Sequence, residues 1–558
     1  MTGKKKSAQA SVEAMYRVFT VPEAPDSTLS RIDQDISRNL AGFLQAHIVA
    51  VERDLSELEK DFSESSVPEK PVFVSEQAQF LLDKLVANSV HTASPSFIGH
   101  MTSALPYFML PLSKIMIALN QNLVKTETSK AFTPLERQVL GMIHRLVYQN
   151  DGEFYRKWMH NPRHALGAMC SGGTVANLTA LWVARNQAFP AEGGFRGIHQ
   201  EGLFRALRYY GHEGAAILVS RRGHYSLSKA ADVLGLGRES LVAVETDDEN
   251  RIQTATLRDK CRDLQRRNIK ILAICGIAGT TETGNIDPLD AMAEIAREFS
   301  AHFHVDAAWG GPTLFSRNHA PLLKGIEKAD SVTFDAHKQL YVPMGAGLVV
   351  FRDPALASAV EHHAQYVIRK GSRDLGSTTL EGSRPGMAML IHSGLNILGR
   401  EGYQILIDQG IEKARVFAEM IKEHADFELV TRPELNILTY RYCPDVVMQA
   451  LAIADPAQSE RLNTSLNRVT KFLQKTQRER GRAFVSRTRL EPARHHHHPC
   501  IVFRVVLANP LTTTDILRDI LNEQKMLAED PDIQDELVLL HKHAAGVLAK
   551  QQFDSSRA

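Results

Sequence analysis

The sequence predicts an α/β protein in which a large domain built on a mostly parallel sheet follows a helical segment and precedes a small α+β domain. Three observations predict it. Between about Pro162 and Arg352, short apolar runs alternate with longer helix-like stretches. The runs are too short for helices and too continuous for half-exposed strands, so they read as buried strands of a parallel sheet. Upstream, apolar residues recur at three- and four-residue steps from Ile32 to Leu58, the stripe of an amphipathic helix. Downstream of Gly386 the pattern becomes helix then strand, which suits a small α+β unit.

Residues 1–28 mix Pro, Ser and charge without periodicity and are expected to form a flexible arm. A helical segment spans 29–110. Its stripe of Ile32, Ile36, Leu40, Phe43, Leu44, Ile48, Val51, Leu55 and Leu58 predicts one long helix whose apolar face needs a partner, and Ser65, Ser66, Pro68 and Pro71 mark a linker before a second helix at 78–88. The large domain, 111–395, carries strands at Ala215–Val219, Leu241–Val244, Ile271–Cys275, Phe303–Val305, Val332–Phe334 and Gly347–Phe351. The small domain, 396–558, shows a helical stripe at Ile411, Ala414, Phe417 and Ile421, strands at Asn436–Tyr442 and Ile501–Val506, and a helix at Asp515–Lys525.

Composition narrows the function. The 558 residues carry 65 Lys and Arg against 64 Asp and Glu, so no overall field favours nucleic acid or an anionic membrane, and neither is expected as a partner. Hydrophobic residues make up 44% and charged ones 23%, the mix of an ordinary globular protein, and no apolar run is long enough to span a bilayer. Five scattered cysteines without a C-x-x-C pair argue against a disulfide framework or zinc ribbon and fit a reducing cytoplasm.

The sharpest signal is Ser331-Val332-Thr333-Phe334-Asp335-Ala336-His337-Lys338, a strand leading into His-Lys. Val305-Asp306-Ala307-Ala308-Trp309-Gly310 lies upstream, with Asp306 placed 32 residues before Lys338. A lone lysine at a strand end is usually a solvated surface group, and a lone aspartate there is often a helix cap. Joined to Ser171-Gly172-Gly173-Thr174 and to His224-Tyr225-Ser226, they form a set that chemistry explains better than packing. In open α/β sheets ligands sit beyond the carboxyl ends of strands, and His224, Thr280 and Asp306 all follow predicted strands. Pyridoxal phosphate needs an amine for a Schiff base, a carboxylate for its pyridine nitrogen, a surface against its ring and a phosphate cradle. The chain offers all four.

These motifs resemble the group II pyridoxal-phosphate-dependent amino acid decarboxylases over roughly residues 85–510. The resemblance implies the fold type I architecture of pyridoxal-phosphate-dependent transferases. It implies Lys338 as the Schiff-base lysine, Asp306 as the partner of the pyridine nitrogen, Ala308 under one face of the ring and His224 stacked on the other. His337 would reach the phosphate, Ser171, Gly172, Gly173 and Thr174 would cradle it at a helix N-terminus, and Thr280 would lie near the ring. Tyr366 would protonate the α-carbon after decarboxylation, and Arg384 would hold the substrate α-carboxylate.

At the substrate's side-chain end, Ser94–Thr102 and Gln121–Val124 resemble two wall segments of the family, with His100, Thr102 and Asn122 as candidate contacts. Glutamate decarboxylases usually carry Asn-Gln where this chain has Gly99-His100. The sequence is most similar to bacterial aspartate 1-decarboxylases of the pyridoxal type, which implies conversion of L-aspartate to β-alanine, a pantothenate precursor. Glutamate or cysteine sulfinate is the alternative substrate. A silent cofactor-binding interaction protein is the alternative of another class. The family also implies a homodimer with sites shared across its interface. The run His495–His498 is expected to be an exposed loop, and no metal site is expected.

Overall fold

The computed structural model describes residues 11, 24–48, 53–364 and 372–555. Most of the expected N-terminal arm, and Tyr366, lie outside the described residues. The centre is a seven-stranded sheet of β1 (Gly167–Cys170), β2 (Gly214–Ser220), β3 (Leu241–Val244), β4 (Ile269–Ile277), β5 (His302–Asp306), β6 (Ser331–Phe334) and β7 (Gly347–Phe351). Their order is β1-β7-β6-β5-β4-β2-β3. From β6 to β3 every neighbouring pair is parallel, while β7 runs antiparallel to both β6 and β1.

β1, β6 and β7 are buried at every position, and β1 and β7 accordingly lack polar alternation, while Ser331 and Thr333 of β6 are buried polar residues. Helix Gly173–Ala188 packs on β7, β6 and β4, and helix Phe132–Tyr148 on β1 and β7. The parallel order sets the carboxyl ends of β6, β5, β4 and β2 side by side, which gathers residues distant in sequence.

A second, antiparallel sheet has the order β10-β11-β9-β8, from β8 (Phe427–Thr431), β9 (Ile437–Tyr442), β10 (Ser486–Leu490) and β11 (Cys500–Val506). Helices Ala388–Glu423, Pro456–Arg480, Thr514–Leu527 and Pro531–Ser555 pack with it around a second core that includes Phe417, Leu466, Phe503 and Leu540.

Two expectations are corrected. The single long N-terminal helix is three helices, Thr28–Arg38, Leu40–His47 and Leu55–Asp61. Asn39 leaves the helical region at φ −153° and ψ 80°, and its side-chain oxygen accepts the Gly42 N–H, so it caps the second helix rather than continuing the first. The histidine run is not uniformly exposed. His495 is buried, its Nε2 lying 2.8 Å from Glu428 Oε1 and 3.1 Å from Arg441 Nη2.

Residues 96–98 tie the N-terminal segment to the second sheet. Ile98 N–H donates to Phe484 O at 3.0 Å, Val506 N–H donates to Ile98 O at 2.7 Å, and the Phe97 and Phe484 rings stack at 4.7 Å. This anchoring brings the wall segment Gly99–Thr102 against β11.

Candidate active site

A cavity of about 300 Å³ opens where the strand ends meet, lined among others by Ser171, Gly172, Gly173, Thr174, His224, Asp306, Ala308, His337 and Lys338. Each element delivers its residue for a local reason. Asp306 is the last residue of β5, His224 caps helix Tyr225–Val233 after β2, and Lys338 sits in the turn after β6. That turn is fastened from several sides. Gln339 Nε2 donates to Trp309 O at 2.7 Å, Asn436 Nδ2 donates to Gln339 Oε1 at 2.9 Å, and Tyr341, at φ +55°, donates its hydroxyl to Ala508 O at 2.8 Å.

Lys338 Nζ lies 3.3 Å from Asp335 Oδ2, and His337 Nδ1 lies 3.1 Å from Asp335 Oδ1. Asp306 accepts from Asn177 Nδ2 at 2.8 Å and from Ala308 N–H at 3.1 Å, which leaves lone pairs free on both oxygens. His224 Nδ1 is 2.8 Å from Ser226 Oγ. Burial pushes the His224 imidazole below its usual range, opposed by the charge of Asp306. Burial does the same to His337, opposed by Asp335.

The residues present fit pyridoxal phosphate. A Cβ at Gly173 would stand 2.9 Å from Asp335 Oδ2, and one at Gly172 would stand 3.2 Å from His337 Cε1, so bare backbone is required there. This bare backbone begins the 16-residue helix Gly173–Ala188, whose first N–H groups and dipole favour an anion. An amine, a carboxylate, an imidazole and this cradle thus converge on one cavity.

Other expected site residues are placed differently. Thr280 is fully buried and holds its own loop, with Oγ1 2.8 Å from Thr283 Oγ1 and accepting Asn285 N–H at 3.1 Å, so Thr281 lines the cavity in its place. Arg384 is corrected too: its two terminal nitrogens are spent on the buried carboxylate of Glu136, and it does not line the cavity. Asn122 Nδ2 donates to Ser383 Oγ at 2.9 Å and its oxygen accepts Val124 N–H, away from the lining. His100 is on the exposed side of the wall, its Nδ1 3.3 Å from Thr102 Oγ1. Burial lowers the His100 imidazole first, and the positive charges of Arg504, Lys338 and His337 lower it further.

Sequence reasoning missed Asn177, Asp335 and Arg504. Arg504 is 8% exposed, on β11, and stands behind Thr281, which lines the cavity, rather than in the lining itself. Its Nε donates to Thr281 O at 2.6 Å and its Nη1 to Gly99 O at 3.2 Å, while its buried Nη2 has no hydrogen-bond partner. Burial pulls this guanidinium down to about 10, opposed by Glu282. A charged residue inside the apolar run Cys500–Val506 was the signal available in the sequence.

Comparisons with known proteins identify the family. The family described as the pyridoxal-dependent decarboxylase conserved domain matches residues 56–443. The aspartate 1-decarboxylase of Aliivibrio fischeri is 59% identical, over 98% of this chain and 100% of that protein. The cysteine sulfinic acid decarboxylase of Mus musculus is 28% identical, over 79% of this chain and 84% of its own length. The crystal structure of mouse CSAD superposes with a TM-score of 0.76 at 25% identity, covering 89% of this chain and 98% of that one. The chain belongs to the pyridoxal-dependent decarboxylase family.

Proposed function

We propose that this protein removes the α-carboxylate of L-aspartate, taking up one proton and releasing β-alanine and carbon dioxide. Pyridoxal phosphate, when bound, supplies a ring that accepts the electron pair left by the departing carboxylate. Lys338 presents the amine that holds the cofactor, and Asp306 keeps a proton on its ring nitrogen. Gly172, Gly173 and Thr174, with His337, receive the phosphate, while His224 and Ala308 confine the ring. Tyr366 delivers the incoming proton to the α-carbon in place of the carboxylate, a role that rests on the sequence resemblance.

The observation that carries an acidic substrate is Arg504. A buried guanidinium with one nitrogen unpartnered is expensive unless a ligand supplies the missing acceptor, and the side-chain carboxylate of the substrate is such an acceptor. The relative from Aliivibrio fischeri favours aspartate among acidic amino acids. L-Glutamate or cysteine sulfinate is the second reading, and the mouse relative favours cysteine sulfinate. One methylene separates aspartate from glutamate, typically worth about 1–3 kcal/mol, so cross-activity is expected. A panel of L-aspartate, L-glutamate, cysteine sulfinate, 2,4-diaminobutyrate and an aromatic amino acid tests the choice. Aspartate is expected to give the highest kcat/KM, and a lead of tenfold or more for glutamate or the aromatic substrate would overturn it.

We further infer a homodimer working in the cytoplasm. Helix Met109–Leu119 exposes Ile115, Ile117 and Leu119, and Tyr107 beside it is exposed as well, an apolar face that a second copy would cover. All five cysteines are buried and unpaired, which suits a reducing compartment. Sedimentation of the holoenzyme at about twice the 62.1 kDa chain mass is expected, and a monomer would contradict the dimer.

A further inference from the structure

Asp306 ends a buried chain of polar side chains that none of the roles above uses. Asn177 Nδ2 donates to Asp306 Oδ2 at 2.8 Å and to Ser226 Oγ at 3.0 Å, which consumes both amide hydrogens. Asn177 Oδ1 lies 3.1 Å from His304 Nε2, and His304 Nδ1 lies 2.9 Å from Ser331 Oγ. Ser331 Oγ in turn lies 2.7 Å from His302 Nε2. Asn177, His304 and Ser331 are essentially inaccessible to solvent. His304 precedes Asp306 by two residues on β5, so both leave the strand on the same face, and it stands opposite Ser331 in the register of β5 with β6.

One charge fixes every hydrogen in this chain. An ionised carboxylate only accepts, so the Asn177 amide must turn its nitrogen to Asp306 and its oxygen to His304. His304 must then carry its proton on Nε2, which leaves Nδ1 bare to accept the Ser331 hydroxyl hydrogen. The Ser331 oxygen accepts from His302 Nε2–H. Burial, which pushes both imidazoles down to about 4, keeps them in the neutral form this pattern requires. Were the amide reversed, its oxygen would face a carboxylate oxygen at 2.8 Å, two acceptors in contact. Asn177 also belongs to the helix whose N-terminus forms the phosphate cradle, so the same amide ties the cradle to the carboxylate.

We propose that His304, as its Nε2–H tautomer, is a positioning residue that locks the Asn177 amide toward Asp306 and so orients the carboxylate that meets the ring nitrogen of pyridoxal phosphate. This rests on the cofactor site described above. A polar cluster that only fills space would affect folding without distinguishing one cofactor ring atom from another; this chain reaches the ring nitrogen through Asp306, and that contact is the one the natural cofactor and an analogue lacking the nitrogen do not share.

The test is equilibrium binding, followed by fluorescence, of pyridoxal phosphate and of its 1-deaza analogue, in which carbon replaces the ring nitrogen, to the full-length apoprotein. His304→Leu is expected to weaken pyridoxal phosphate about 10- to 100-fold, the range for a lost hydrogen bond to a charged group. The deaza analogue should stay within about twofold, because it presents nothing to Asp306. His304→Gln, whose amide N–H reaches about as far as the imidazole Nε2–H, should recover most of the loss. Should the leucine variant fail to fold, Ser331→Ala removes only the hydroxyl that donates to His304 Nδ1 and holds the ring in place, and should show the same discrimination. Equal weakening of both ligands, no weakening of either, or a glutamine variant as impaired as the leucine one overturns the proposal. A wild-type protein that binds the two ligands equally refutes instead the role of Asp306 itself.

Discussion

Replacing Arg504 by methionine separates substrate recognition from folding, because the structure gives the two effects different sizes. In the ligand-free protein, burial lowers the guanidinium from its usual 12.5 to about 10, a penalty of roughly 3 kcal/mol for keeping it charged. Against that stand hydrogen bonds from the charged group to Thr281 O and Gly99 O, each worth about 1.5–3 kcal/mol, and a long, weaker one to Ser486 Oγ at 3.5 Å. The contributions offset, so Arg504→Met should change unfolding stability by less than about 3 kcal/mol. Losing one partner of a buried charge pair in the substrate complex costs about 2–5 kcal/mol, so kcat/KM for L-aspartate should fall roughly 30- to 5000-fold. L-2-Aminobutyrate, which lacks the side-chain carboxylate, should lose nothing. The assay is steady-state amine production from both substrates beside urea unfolding of the same preparation. An unchanged rate on aspartate, or a parallel fall on both substrates, would refute the reasoning.

Lys338→Ala should abolish turnover and covalent retention of the cofactor after borohydride reduction, and retained activity would remove Lys338 from its role. Asp306→Asn should fold and bind cofactor more weakly, with turnover reduced at least about 100-fold, on the scale of a lost electrostatic contact at the reacting group; near-wild-type kcat would contradict this. Tyr366→Phe should still release carbon dioxide but give aldehyde in place of part of the amine, and an unchanged amine yield would mean the proton comes from elsewhere. Burial holds His144, His302 and His304 down to about 4, whereas in the unfolded chain histidine takes up a proton below about 6.5. The stability these histidines contribute is therefore full above pH 6.5 and is lost as pH falls toward 4, by about 1.4 kcal/mol per pH unit for each, while buried Asp287, raised to about 7, offsets one of them in the same window. Urea midpoints between pH 7.5 and 4.5 measure this, His304→Gln should flatten the slope by one proton, and a flat wild-type profile would contradict it.

The parts legible in the sequence are those that a single local pattern encodes. The strands at Leu241–Val244 and Gly347–Phe351 were found to the residue, because both are continuous apolar runs, the second buried at every position and the first partly exposed at the edge of the sheet. β1 was missed because Gly167-Ala168-Met169-Cys170 has no β-branched residue, and β10 because Ser486-Arg487-Thr488-Arg489-Leu490 carries two arginines at an outer position of its sheet. The break at Asn39 is a capping event inside an uninterrupted apolar stripe, invisible to periodicity. At the site, motifs adjacent in sequence were recoverable, and Gly172, Asp306 and Lys338 do meet in one cavity. Partnerships across long separations were not. Nothing local shows that Glu136 takes the fork of Arg384, or that residues 96–98 carry the Gly99 carbonyl to Arg504. Asn177 reads as one more polar residue on a helix until the fold sets it between Asp306 and His304.

The most direct test of the central claim is the fate of position-labelled substrate. The holoenzyme, given L-aspartate carrying carbon-13 at C1 in one sample and at C4 in another, should release labelled carbon dioxide only from the C1 sample and accumulate β-alanine in equal amount in both. Labelled carbon dioxide from the C4 sample, alanine as the product, or oxaloacetate without carbon dioxide would contradict it.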